Sequence, residues 1–336
     1  MGEKIVEYVK LVRLPGWGAY CIPAVFGALS VGVFDVWKLA LLFSIGGLAT
    51  IYGFVLNDYA DISTDSLSKD LSERPLVKGV IPRENALYIS ILAAITVYII
   101  LLLAMITKIF LFSYTSLLIL TISAILTACY NFYGKKLIGS DIFVAAAATL
   151  FCLFGAMVVS AKIGALTGVI VIVTFMQVLY MNAIIGGLKD VDHDFLIGAK
   201  NVALRMGVKA EKELLIPRAF KVLALVLRSC SAVVMFVPIV FFKDFSFYIW
   251  QPPIMVAMLI GVFYTTIKML NLKMFDRNQI RKLVSVQSFL RYSVVPVMLL
   301  RFIGTPISLF LIVFPFSWYA IFNWLLYGKA IQPKTL

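Results

Sequence analysis

Long apolar runs alternate along the chain with short polar stretches. Nine runs, at 15–34, 37–56, 86–107, 109–130, 141–161, 163–187, 216–242, 247–270 and 306–326, are bounded by charged or turn residues. Each is near or above the about 20 residues a helix needs to cross a bilayer. They predict an all-α polytopic membrane protein with about nine transmembrane helices, folded as one transmembrane domain over residues 1–336. Residues 277–301 alternate charged with apolar positions, and the segment is assigned to the interface in preference to a tenth span. The opening MGEKIVEYVKLVR reads as an amphipathic lead-in to a retained first helix.

Composition excludes a soluble globule: 62% of the 336 residues are apolar and 14% charged, against about 45–50% and about 25% in ordinary soluble domains. The excess of 30 Lys and Arg over 17 Asp and Glu would suggest nucleic acid in a soluble protein. Here it fits basic loops on the cytoplasmic side of a membrane, so membrane lipid is the expected surrounding and no nucleic-acid partner is expected. Cys21, Cys129, Cys152 and Cys230 sit in or beside apolar runs without a CxxC pair, and there is one His, which speaks against a zinc site or disulfide framework.

The basic residues also orient the chain. One set of connections is very short and holds only Lys38, Lys108, Lys162 and Lys243. The other set is longer and basic, with Lys69, Arg74, Lys78 and Arg83 after the second run, Lys135 and Lys136 after the fourth, a group from Lys189 to Lys221 that includes Lys212 after the sixth, and residues 268–291 after the eighth. Placing these longer loops in the cytoplasm puts the N-terminus inside and, with nine crossings, the C-terminus outside. The plasma membrane of a prokaryote is the expected location.

The acidic residues carry the chemistry. The second run leads into Asn57, Asp58, Asp61 and Asp65, and the sixth into Asp190, Asp192 and Asp194. Asn57, Asp61 and Asp65 stand at i, i+4 and i+8, and Asp190 and Asp194 are four apart, so a helix would line each set along one face. Stacked carboxylates repel one another, and more so near a membrane, so a cation should offset them. Oxygen ligands without His or Cys partners point to Mg²⁺, which completes its shell with water and substrate phosphates. Lys69, Arg74 and Lys78 follow the first stripe, and Lys189, Lys200 and Arg205 flank the second, an arrangement suited to a diphosphate held between metal and cationic side chains.

Blander readings compete with this one. One acidic stripe is as often a solvated helix edge, but two with matching spacing at the same face favour a site. Asp58 and Asp192 point off the stripes and read as supporting or solvated, and His193 as a surface residue. Tyr130 and Tyr133 are either interfacial belt aromatics or cavity residues. The alternative function is a cation-coupled transporter, since intramembrane acids mark ion pathways; flanking Lys and Arg disfavour passing cations.

NDYADISTD followed by ERPLVKGVI, then YNFYGKKLIG and KDVDHDFLIGAKNVALRMG, resembles the UbiA superfamily of intramembrane prenyltransferases of archaeal or bacterial type. The match covers most of the chain in order and spacing, with Asn201 standing where the family commonly has Thr. The resemblance implies helices around a central cavity with the aspartate motifs facing each other at its cytoplasmic mouth. It implies Mg²⁺ held by Asn57, Asp61, Asp65, Asp190 and Asp194, with Arg74, Lys135 and Lys189 contacting a prenyl diphosphate, and Arg13 as a further candidate for an anionic group. Tyr130 and Tyr133 would stabilise an allylic cation, which a hydrophobic or aromatic acceptor attacks. The identity of that acceptor, the prenyl chain length and the oligomeric state are not legible in the sequence.

Overall fold

The computed structural model describes residues 2–67, 71–210 and 213–330, so Lys69 and Lys212 lie outside the described residues. The amphipathic lead-in forms α1 (Gly2–Leu11). The first apolar run is not one helix. It is a turn of 3-10 helix at Leu14–Gly16, then α2 (Trp17–Tyr20) and α3 (Pro23–Ser30). Pro15 and Pro23 lack the N–H that a continuous helix needs.

The next helices are α4 (Val36–Asp65), α5 (Arg83–Ile106), α6 (Tyr114–Tyr133) and α7 (Asp141–Met157). Caps fix their starts: Asp35 accepts from the Lys38 amide at 2.8 Å, and Ser113 from the Ser116 amide at 3.2 Å, satisfying amides that a first turn leaves orphaned. The sixth run becomes α8 (Ala165–Leu179), a π-helical turn at Tyr180–Gly186, and α9 (Gly187–Lys189). Short α10 (Val191–Leu196) and α11 (Val202–Arg205) follow, then a two-stranded antiparallel ribbon of β1 (Lys209–Ala210) and β2 (Leu214–Leu215). Four long helices complete the chain: α12 (Arg218–Phe241), α13 (Gln251–Leu270), α14 (Arg277–Ile303) and α15 (Thr305–Tyr327).

Among the described residues, eight helical stretches are long and apolar enough to cross a membrane, and α7 is a shorter apolar ninth. Those nine do not match the nine predicted runs, since the first run is the broken α2–α3 stretch and residues 277–303 join the set, so with that stretch the crossings number ten among the described residues. Residues 277–303 do not lie at an interface: α14 packs between α13 and α15, and Ser293 through Leu300 are all buried. Its pattern misled because Arg281, Gln287 and Arg291 face the protein interior, where they are buried. With the broken α2–α3 stretch, α14 makes the crossings even. The end of α15 therefore returns to the face of α1, with the Lys10 Nζ 5.8 Å from the Tyr327 ring and Trp318 Nε1 donating to the Leu14 carbonyl at 2.8 Å. The expectation that the two ends of the chain lie on opposite faces is thus corrected: the described end shares the face of α1 and the acidic clusters.

Neighbouring helices form a ring. α5 packs on α4, α4 on α6, and the contacts run on through α7, α8, α12, α13, α14 and α15 back to α2. α3 plugs it from one side against α4, α7 and α8. Gly27 and Gly155 make that approach close enough, since a Cβ on Gly155 would lie 2.0 Å from the Ala24 carbonyl oxygen.

Candidate active site

The first acidic stripe rides on the last turns of α4. Asn57 Nδ2 donates to Asp61 Oδ2 at 3.2 Å. Lys135, just beyond α6, places its Nζ 3.2 Å from Asp61 Oδ2 and 3.7 Å from Asp65 Oδ1, and donates to Thr64 Oγ1 at 2.9 Å. Arg74 bonds Asp65 and lies 3.1 Å from Asp58 Oδ1. Leu76 and Ile81 anchor its loop, packed with Leu11, Val55 and Ala86 in a small apolar cluster. Arg13 Nη2 closes on Asp58 Oδ1 at 2.6 Å from a left-handed backbone conformation, φ 50 and ψ 42, strained for a non-glycine residue. Asp58 is therefore neither solvated nor idle. It is buried and joins two arginines from different parts of the chain. Those carboxylates keep the Arg74 guanidinium above its ordinary range despite its burial.

The second stripe is not a continuous helix. After the π-helical turn, α9 ends at Asp190, whose φ of -111 interrupts the helix before α10 carries Asp194. Lys189 Nζ is 3.7 Å from Asp190 Oδ2, and Arg277 reaches over to donate to the Lys189 carbonyl at 3.0 Å and to bond Asp192. Asn201 serves twice: its Oδ1 accepts from the Leu204 amide at 2.8 Å to cap α11, and its Nδ2 donates to Asp194 Oδ2 at 2.7 Å. Burial first, then the Asp190 charge, pushes the Asp194 carboxyl up to about 6, with Asp61 adding to the rise and Lys135 opposing it. Residues of both stripes thus act on one group. His193 is a correction. It is buried and lines the cavity, with Nε2 enclosed and without a hydrogen-bond partner among the described residues, and burial and Lys135 lower its pKa.

Both stripes open into one cavity of about 1310 Å³, reached by Arg13, Asn57, Asp61, Asp65, Arg74, Lys135, Lys189, Asp190 and Asp194. Its deeper walls are apolar, from Phe26, Val97, Leu120, Phe151, Ile170 and Val173. Tyr130 lines it and donates from Oη to Asn182 Oδ1 at 3.3 Å. Tyr133 does not: it is 51% exposed, its ring 5.7 Å from Lys136 Nζ. Three residues carry it nearly a turn beyond Tyr130 and about 60° around the helix, past the cavity edge at the end of α6.

The sequence reading missed the contribution of α14. Arg281, Ser285, Ser288, Arg291 and Tyr292 line the cavity. Arg277, Arg281, Ser285 and Ser288 follow one another at three- and four-residue spacing, the signal of an inward polar face. Among the described residues no three His, Cys, Asp or Glu side chains converge on one point. Lys135 and Arg74 hold the carboxylate oxygens instead. The donor set is all oxygen, which fits a hard divalent cation such as Mg²⁺.

A model of the UbiA prenyltransferase family matches residues 20–290. No curated protein sequence matches the chain. Among solved structures the chain resembles a digeranylgeranylglyceryl phosphate synthase at 20% identity and a TM-score of 0.60, over 93% of this chain and 99% of that one. A UbiA homologue from Archaeoglobus fulgidus bound to GPP and Mg²⁺ is 17% identical with a TM-score of 0.63, over 86% of this chain and 99% of that one. An apo UbiA homologue from Aeropyrum pernix K1 is 14% identical with a TM-score of 0.62, over 86% and 94%. At these identities the likeness is one of fold.

Proposed function

Because the chain belongs to the UbiA prenyltransferase family, we propose that its cavity binds a prenyl diphosphate and transfers the prenyl group to a lipophilic or aromatic acceptor within the membrane. The observation that carries this reading is the meeting of two acidic stripes and their cations at the mouth of one cavity whose depths are apolar. A diphosphate fits the mouth, and an isoprenoid chain fits the walls.

Asn57, Asp61 and Asp65 from α4, with Asp190 and Asp194 around α10, would hold Mg²⁺. When bound, Mg²⁺ supplies positive charge that offsets the diphosphate and makes it a better leaving group. Arg74, Lys135 and Lys189 bind the diphosphate oxygens and stabilise the charge that builds as the allylic C–O bond breaks. The apolar walls keep water from the resulting allylic cation, and the Tyr130 ring offers it a polarisable face. The acceptor attacks that cation and then loses a proton. Arg13, Arg74 and Lys135, seated on the acids, oppose the transporter alternative, because a passing cation would have to displace them. The excess of Lys and Arg on this face supports a cytoplasmic mouth and N-terminus in a prokaryotic plasma membrane.

Purified protein supplied with labelled geranyl diphosphate, Mg²⁺ and a panel of acceptors tests the reading. Asp61→Ala or Asp190→Ala should each lower turnover by about a hundredfold or more in protein that remains monodisperse in detergent, and EDTA should abolish it. Full turnover in EDTA, or in either variant, overturns the proposal.

A further inference from the structure

The aspartates that line the cavity are engaged by neighbouring side chains, with one exception. Asp58 meets Arg13 and Arg74, Asp61 and Asp65 meet Lys135, Asp190 meets Lys189, and Asp194 meets Asn201. Asp141, in the first turn of α7, is 8% exposed and lines the same cavity. Among the described residues no cation pairs with it. Burial and its own backbone amide are the influences on its carboxyl. Unlike His193 Nε2, its oxygens are not sealed off.

The position of Asp141 is as specific as its isolation. Asp141, Val144, Ala148 and Phe151 line the cavity at i, i+3, i+7 and i+10, so one face of α7 leads from the carboxylate into the apolar chamber. α7 packs on α6, which carries Tyr130. Of the four aspartates that act on the Tyr130 hydroxyl, Asp141 acts most strongly, ahead of Asp61, Asp194 and Asp190. An acid in the first turn of a helix gains from the helix dipole, but that gain is smaller than the cost of enclosing a carboxylate without a partner. Ionisable groups held at such a cost near a membrane interior mark function.

Transfer of a prenyl group to a hydroxyl or an aromatic ring releases a proton, and the aspartates assigned to Mg²⁺ have their oxygens occupied. We propose that Asp141 is the base that takes this proton from the acceptor. The assignment deepens the prenyltransferase reading and rests on it. The allylic C–O bond breaks, and its electron pair leaves with the diphosphate. An electron pair of the acceptor's oxygen or ring carbon forms the new bond to the allylic carbon. The acceptor's O–H, or the C–H at the attacked ring carbon, then gives its proton to an Asp141 oxygen, and the bonding pair stays on the acceptor. The carboxylic acid passes the proton to water at the mouth before the next turnover. The reacting group of the acceptor therefore lies between Tyr130 and Asp141, on the α7 side of the cavity.

The test uses the full chain in phosphatidylcholine nanodiscs with Mg²⁺ and geranyl diphosphate labelled with ¹⁸O in the bridging position. Dodecanol, dodecylphenol and naphthol serve as acceptors. Without acceptor, reversible ionisation scrambles the label; with acceptor, the prenylated product reports complete transfer. Asp141→Asn, which keeps the shape and loses the base, should lower transfer by about a hundredfold or more, while label exchange, which precedes proton removal, persists. Asp141→Ala should lose transfer likewise and regain it when sodium formate is supplied, a recovery that a structural role would not give. Dicyclohexylcarbodiimide, an apolar reagent for carboxyl groups in dry surroundings, should modify Asp141 in the wild type, located by peptide mass spectrometry; this arm carries the test if neither variant folds. Unchanged transfer in Asp141→Asn, equal loss of exchange and transfer in that variant, or an Asp141 that the carbodiimide leaves unmodified overturns the assignment. A wild type that neither exchanges the label nor transfers the prenyl group overturns the prenyltransferase reading itself, so the two failures are distinguishable.

Discussion

On the proposed reading Lys135 competes with metal for the same oxygens, which gives its removal two effects of opposite sign. Its Nζ lies 3.2 Å from Asp61 Oδ2 and 3.7 Å from Asp65 Oδ1, where Mg²⁺ would have to sit. At 3.2 Å and an effective dielectric of about 20, the pair attracts by about 5 kcal/mol before desolvation is counted. The lysine side chain is 30% exposed and the aspartate 16%, so solvent screening and ammonium hydration reduce the net value to about 1–2 kcal/mol. Lys135→Met should therefore tighten Mg²⁺ binding to the protein without substrate by about 5- to 30-fold. The same substitution removes a cation assigned to the diphosphate in the proposed function, and Mg²⁺-dependent binding of geranyl diphosphate should weaken by about tenfold. Titration calorimetry with Mg²⁺ alone, then with geranyl diphosphate at saturating Mg²⁺, measures both. If Lys135→Met weakens Mg²⁺ binding in the first titration, the ammonium is not the metal's competitor and the reasoning fails.

Two further predictions concern protonation and topology. Asp194, pushed up to about 6 by burial and Asp190, adds stability to the metal-free fold below its ordinary value of 3.8, and that contribution is lost as pH rises through about 6. Metal needs the ionised form, so Mg²⁺ affinity should rise from about pH 5 to about pH 7 and Asp194→Asn should flatten the profile; a pH-independent affinity in the parent protein refutes this. Cysteines at Lys329→Cys and Lys78→Cys should react with an impermeant thiol reagent from the same side of sealed vesicles, and Lys162→Cys from the other; opposite labelling of the first two would refute the even number of crossings.

The sequence by itself determined the class of the protein and the sites of its acids. Apolar runs near bilayer length leave a chain few alternatives, because a helix alone satisfies every backbone group of a single segment in lipid. Period-four spacing placed Asn57, Asp61 and Asp65 on one face because α4 continues unbroken to Asp65. Local spacing could not show that the second stripe is interrupted at Asp190, since that break comes with the π-helical turn before it. Nor could it show which residues meet from afar. Asp58 finds Arg13 and Arg74, and Lys135 finds Asp61, only after α1, α4, α6 and the loop before α5 are packed. The fate of residues 277–303 turned on the same limit. Charge within an apolar helix suits an interface or an internal cavity equally well by pattern, and only the packing of α13 and α15 around α14 turned Arg281 and Arg291 inward. Tyr133 and His193 exchanged their expected places for the same reason: whether a side chain faces solvent or cavity depends on where its helix ends against its neighbours, and that is a property of the assembled bundle.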